Sequence, residues 1–150
     1  MNAQHQNPKF VYPGEGRQFT VFGSSMVYKA TSEDTGGAFS LALETTAPHS
    51  GLPLHIHHRE DEAMYILEGQ YEIQCGDEVF LATDGAFVFL PRGIPNRYQN
   101  VADTAGRFLH ITSPGGFEEL VEQTSLVEVK GPSDLERIKE NSKHYGVDFL

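Results

Sequence analysis

Residues 54–62, LHIHHREDE, gather three histidines and three acidic residues into nine positions beside an apolar run. In an extended strand, residues two apart face the same way. His55 and His57 therefore share one face and Ile56 takes the other. Glu62 follows a four-residue connection and opens the next apolar run, AMYILEG. Two imidazoles and one carboxylate on neighbouring strands form the donor set of a two-His-one-carboxylate metal site. Neutral imidazoles are good borderline donors, and the carboxylate supplies charge to hold a divalent ion. The competing reading is a solvated polar loop; it suits His58, Arg59, Glu60 and Asp61, which read as a charged turn.

These side chains need a rigid scaffold, and the rest of the chain supplies strands. RQFTV, SSMVYKAT, AFSLALETT, LHIH, AMYILEG, QYEIQC, EVFLA, AFVFLP, RYQNV and RFLHIT are short runs rich in β-branched and aromatic residues. DTGG, APHSGLP, GD, TDG, RGIPN and DTAG separate them as turns. Many short strands with turns every eight to twelve residues predict an all-β sandwich or barrel. Tyr71, Ile73 and Cys75 share one face of their strand, and Cys75 reads as a buried, inert thiol.

The C-terminal quarter differs. Ser113 and Pro114 are placed to open a short helix, and Ser133 with Glu136 has capping-box spacing for a second. Leu135 and Ile138 lie on one face of that second helix, and Gly146 can end it. The expected organisation is an N-terminal arm over 1–16, a barrel over 17–115, and a helical extension over 116–150 packed on the barrel or on a partner.

Composition narrows the function classes. The chain has 150 residues, enough for one domain with a real core. A net charge of -10 argues against nucleic acid and anionic membranes as partners. Cys75 is the single cysteine, so neither an intrachain disulfide nor a thiolate cluster is available. The opening MNAQHQNPKFVYPGEG has no apolar signal-peptide core, and no run approaches the ~20 apolar residues of a membrane span. A cytoplasmic protein is the expectation. Exposed strand edges and apolar outer faces call for cover, which predicts a homodimer.

Two segments also carry a family resemblance. His55-x-His57, four residues, Glu62, six residues, Gly69 resembles the first cupin motif. Gly85, five residues, Pro91, one residue, Gly93, two residues, Asn96, three residues, Asn100 resembles the second. With SPGGFEEL and HYGVDFL, the pattern looks like the single-domain cupins described as quercetin-dioxygenase-like. The resemblance implies an antiparallel jelly-roll β-barrel, the double-stranded β-helix, with a divalent metal inside: Fe, Mn, Ni, Zn or Cu. It implies His55, His57 and Glu62 as ligands, with Glu62 also available as a catalytic base, and oxygenation of a small enolic or aromatic substrate. The chain departs from the pattern at Asn96, where the second motif has histidine. Asparagine is the weaker donor and acts directly or through a water.

Three further positions remain open from sequence. His110 in RFLHIT either lines the interior or is a hydrogen-bonded residue at the core edge. Glu44 is either a partner for a ligand imidazole or a solvated side chain. Tyr98 either lines the substrate pocket beside Asn96 or is a plain core aromatic. A non-catalytic binding or sensor module, and a metal-free isomerase using histidines as acid and base, are the alternatives to an oxygenase. His5, His49 and His144 have no assigned role.

Overall fold

The computed structural model describes residues 7–150; residues 1–6 of the expected N-terminal arm lie outside the described residues. Among the described residues, eleven strands form two antiparallel sheets, the jelly-roll arrangement. One sheet has the order β1 (Arg17–Val21), β2 (Ser24–Ala30), β3 (Ser40–Thr46), β10 (Gly106–Ser113), β5 (Asp61–Glu68), β8 (Phe87–Leu90). The other has the order β11 (Val147–Phe149), β4 (Gly51–His57), β9 (Asn96–Asn100), β6 (Gln70–Cys75), β7 (Glu78–Thr83). No helix of the described residues is long and apolar enough to cross a membrane.

Side-chain alternation decides what each sheet encloses. In β5 the even residues Glu62, Met64 and Ile66 are buried and the odd ones are not. In β10 Phe108, His110 and Thr112 are buried, which puts His110 on the inner face. β3 inverts the usual apolar-in pattern. Its buried residues are Ser40, Ala42, Glu44 and Thr46, while Leu41 and Leu43 lie on the outer face. The apolar core between the sheets is built from Met64, Ile66, Tyr71, Ile73 and Phe108. Burying one such side chain stabilises the fold by roughly 1.5–3 kcal/mol. A second cluster, Met26, Tyr28, Ala42 and Val121, forms where a helix packs against β1 and β2.

Two glycines permit the close approaches that bring the motif strands together. Gly69 adopts φ +126° in the turn between β5 and β6. A Cβ on Gly51 would collide with the Tyr98 carbonyl, so β4 reaches β9 only because this side chain is absent.

The C-terminal segment departs from expectation in several respects. Helix α2 spans Phe117–Ser125 with Gly116 at its N-cap; Ser113 instead closes β10. Helix α3 spans Pro132–His144 with Gly131 at the N-cap and Pro132 in its first turn. The Asp134 carboxylate, not Ser133, accepts the free N–H groups of Lys130 and Gly131. Proline lacks an N–H and has its φ preset, so it suits the first helical position better than serine does there. Ile138 is buried, but Leu135 is exposed. After Gly146, at φ +77°, the chain returns to the sheet as β11 and pairs with β4 through Val147↔His57 and Phe149↔His55. The extension is thus part helix and part strand. It covers the interior rather than only the outer wall, because residues of α2, α3 and β11 line the same cavity as His55 and His57. Two smaller corrections concern DTGG, which ends a one-turn helix α1 (Ser32–Thr35), and Cys75, which is half-buried.

Candidate metal centre

His55 and His57 point inward from the end of β4, and Glu62 points inward from the start of β5. Each is less than a tenth exposed. One donor atom from each lies within 4.8 Å of the others, close enough for a single ion to be shared. The histidine rings are 5.0 Å apart, and His57 Nε2 lies 3.1 Å from Glu62 Oε1.

Hydrogen bonds on the far side of each ring set which nitrogen is free. His55 Nδ1 is 2.8 Å from the Pro53 carbonyl oxygen, which can only accept, so Nδ1 carries the proton. His57 Nδ1 is 2.6 Å from Glu60 Oε1, with the same consequence. Both Nε2 lone pairs are left facing the interior. This is the arrangement that orients imidazole ligands and raises their basicity. The donor set fits a divalent ion.

Electrostatics agree with that fit. Burial pushes the Glu62 carboxyl up. The charges of His57, His110 and His55 and the hydrogen bond from His110 outweigh it and bring the carboxyl down to about 2. Glu62 is therefore an anion at neutral pH, as a ligand must be. Burial holds His55 below its ordinary value, which keeps it neutral and available.

The remaining sequence candidates fall into two groups. His110 and Asn96 touch Glu62. His110 Nε2 is 2.6 Å from Glu62 Oε2, and the Asn96 amide donates to Glu62 Oε1 at 3.4 Å. Asn96 also stands opposite His55 in the strand register and is 3% exposed. Glu44 and Tyr98 form a separate pair: the Tyr98 hydroxyl donates to Glu44 Oε1 at 2.5 Å. Glu44 is thus buried, but its partner is a phenol and not an imidazole. Both line the cavity with the His-His-Glu cluster.

Glu60 is a further buried polar residue of the cluster, although in sequence it reads as part of a charged turn. It was placed in a solvated turn, yet it is 7% exposed and holds His57. The usable signal was its spacing three residues after a candidate ligand, across a connection too short to turn the carboxylate far away. His58 does leave the opposite side, where it meets Asp148 at the surface. His49 pairs with Asp103, also at the surface.

The cavity measures about 70 Å³. Its floor is the polar cluster; its walls include Val21, Met26, Leu52, Met64 and Leu90, and its cover includes Leu120, Val121 and Ile138. The Phe117 ring lies 5.0 Å from that of His57 and 5.9 Å from that of His110. Among the described residues that line the cavity, none is Lys or Arg.

Two antiparallel sheets enclosing an inward His-His-Glu cluster define a cupin barrel, and residues 42–112 match the family Cupin_2, described as Cupin domain. The match to this domain spans just under half of the chain. It is 26% identical over 92 residues to quercetin 2,3-dioxygenase of Bacillus subtilis, covering 61% of this chain and 27% of that protein. Over 69 residues it is 33% identical to the xanthan biosynthesis protein XanB of Xanthomonas campestris, covering 46% of this chain and 15% of that one. It therefore spans less than a third of the length of these curated relatives. Solved structures of the same fold include KdgF from a Halomonas species and an RmlC-like cupin from Shewanella frigidimarina. KdgF gives a TM-score of 0.67 at 15% identity, over 75% of this chain and 99% of that one. The RmlC-like cupin gives 0.65 at 14% identity, over 76% and 97%.

Proposed function

We propose that this protein is a metal-dependent enzyme that oxygenates a small, uncharged enolic or aromatic compound in the cupin barrel. The observation that carries the reading is the pair of locked imidazoles, whose free Nε2 atoms meet an ionised carboxylate at the floor of an apolar cavity. A divalent ion held by His55, His57 and Glu62 would supply Lewis-acid chemistry and, if redox-active, electron transfer at a substrate oxygen.

The lining selects the substrate's charge. Glu44 and Glu62 face the cavity, and no Lys or Arg of the described residues does. A multiply charged dicarboxylate or phosphate ester would meet two carboxylates with only the metal ion and His110 to offset its charge, which is costly in a buried site. A neutral molecule with one or two oxygens meets no such penalty.

The volume selects its size. Ligand pockets for drug-sized molecules run to ~300–1,000 Å³, and an engineered cavity of ~150 Å³ holds a benzene ring. At about 70 Å³ this cavity suits a small molecule. A three-ring flavonol is further from fitting, so the substrate is smaller than the one named for the Bacillus relative.

The chain's own groups divide the proton work. Both oxygens of Glu62 are engaged, by His110 on one side and by Asn96 and His57 on the other, which suits a ligand better than a base. Burial raises the Glu44 carboxyl, which makes it the better group to take a proton from a substrate hydroxyl and return it. The Tyr98 hydroxyl holds Glu44 in place.

The small cavity also favours a second reading, a non-catalytic sensor. Oxygen uptake by protein of measured metal content, with 2,4-pentanedione and catechol as neutral probes, separates the two. Uptake that follows metal occupancy supports the enzyme. Tight probe binding to the metal-loaded protein without uptake supports the sensor, and protein that retains no metal sinks the metal-centred reading.

A further inference from the structure

The most exposed residue of the cavity wall is an aromatic one on an unfavourable backbone. Strands β1 and β2 are joined by the two-residue turn Phe22-Gly23, with φ +46° at Phe22 and +77° at Gly23. Such a turn ordinarily takes Asn or Asp before its glycine, because a bulky side chain at positive φ is strained. Phe22 is also 39% exposed, so the packing of a core does not call for it either. Its ring instead lines the cavity that holds the His-His-Glu cluster. We infer that Phe22 is a specificity-determining residue: it stands at the mouth of the cavity and sets how large a compound reaches the cluster.

Exposure, anchoring and strain agree on this role. Among the described residues that line the cavity, Phe22 alone is exposed, whereas His55, His57 and Glu62 are buried. The cavity therefore runs from solvent at Phe22 to the donor atoms, and an entering molecule passes this ring. The turn that carries it is seated on its surroundings. Val21 pairs with Ser24 at its base, and the Ala47 N–H donates to the Gly23 carbonyl at 3.2 Å. A strained residue persists only where the structure around it holds it, and such residues gather at ligand sites. Leu52 and Phe149, both half-buried, line the same cavity and add apolar surface beside the cluster. This role rests on the cavity being the substrate site proposed above, and adds to it the side chain that selects by size.

The test compares two neutral probes with the same pair of adjacent hydroxyls: catechol, with one ring, and 2,3-dihydroxynaphthalene, with two. Their dissociation constants are measured by calorimetry on protein of matched metal content, and the readout is the ratio of the two. The parent is expected to favour catechol. Phe22→Ala is expected to shift the ratio toward the two-ring probe by at least ~10-fold, the low end for a size change in an apolar pocket. Phe22→Leu is expected to shift it less, and it decides the matter if the alanine variant does not fold. Phe80→Ala removes a ring that is also 39% exposed but does not line the cavity, and is expected to leave the ratio unchanged. General loss of structure would weaken both probes together, so a changed ratio reports selection. A ratio unchanged in both Phe22 variants overturns the inference. An equal shift in Phe80→Ala does the same, and so does binding of neither probe to any of these proteins. Oxygen uptake is recorded separately. A shifted ratio without uptake keeps the role of Phe22 and removes the oxygenase reading; uptake with an unchanged ratio does the reverse.

Discussion

His110 Nε2 lies 2.6 Å from Glu62 Oε2, across the β10–β5 pairing, and both residues are buried. The imidazole holds the carboxylate from behind while the other oxygen faces His57. Hydrogen-bonded partners of this kind orient a ligand, and their loss costs ~10–100-fold in metal affinity. His110→Phe is therefore expected to weaken metal retention by that order in a chelator competition. His110→Gln, which can still donate, is expected to lose less. Equal affinity in His110→Phe and the parent would show that Glu62 does not bind the ion.

The two imidazoles make a sharper contrast with their neighbours. His55→Ala and His57→Ala each remove one of three strong donors, so bound metal by elemental analysis is expected to fall to background. His58→Ala is expected to retain the parent's occupancy, because His58 faces Asp148 at the surface. Glu60→Gln leaves the donor set intact but weakens the hold on His57 Nδ1, and an intermediate loss is expected, ~10–100-fold in affinity. Occupancy that falls as far in His58→Ala as in His57→Ala would sink the site.

Some of this was legible in sequence, for physical reasons. The period-two repeat of a strand puts His55 and His57 on one face whatever the fold, and Glu62 opens the next strand on the side toward them. Glu60 was not legible, because its burial depends on the path of a three-residue connection and not on any repeat. β3 was misleading: Leu41 and Leu43 look like core, but the interior here is polar and the outer face is apolar, so Glu44 is the buried residue. β11 has three residues, too few for alternation to show, and it follows the helix that Gly146 ends, within a segment expected to be a helical extension. Its pairing with β4 brings Phe149 to 5.7 Å from the His55 ring.

Glu44 sets a pH dependence whose sign can be worked out. Burial raises its carboxyl above the ordinary 4.5, against the pull of His110, Tyr98 and Ser24. Below about 4.5 both folded and unfolded chains hold the proton and no stability is lost. As pH rises, the unfolded chain releases it freely while the folded chain resists. Stability is therefore lost as pH rises from 4.5 through the folded pKa. Glu44→Gln keeps an acceptor for the Tyr98 hydroxyl and removes the ionisation. Its melting temperature is expected to match the parent's near pH 4 and to exceed it increasingly toward pH 7. A gain that is constant across this range would show that Glu44 ionises as easily in the fold as out of it.

Asn96 tests the metal and the cavity together. It faces His55 across β4 and β9, is buried, and directs its amide to Glu62. The second cupin motif carries histidine where this chain has Asn96. Asn96→His replaces a weak donor by a strong one at a place already turned toward the cluster. Imidazole is somewhat larger than the amide, and the neighbouring cavity of about 70 Å³ leaves room for the ring. A fourth donor, the third nitrogen, is expected to tighten binding of nickel, copper or zinc more than of manganese, following the affinity order of these ions. The same ring would occupy a position otherwise open to water or substrate, so turnover of the true substrate is expected to fall as retention rises. Chelator competition across the four metals checks the first expectation, and oxygen uptake the second. If Asn96→His binds all four ions no better than the parent, the cluster of His55, His57 and Glu62 is not holding a metal. The barrel would then be better explained as a binding module with a polar floor.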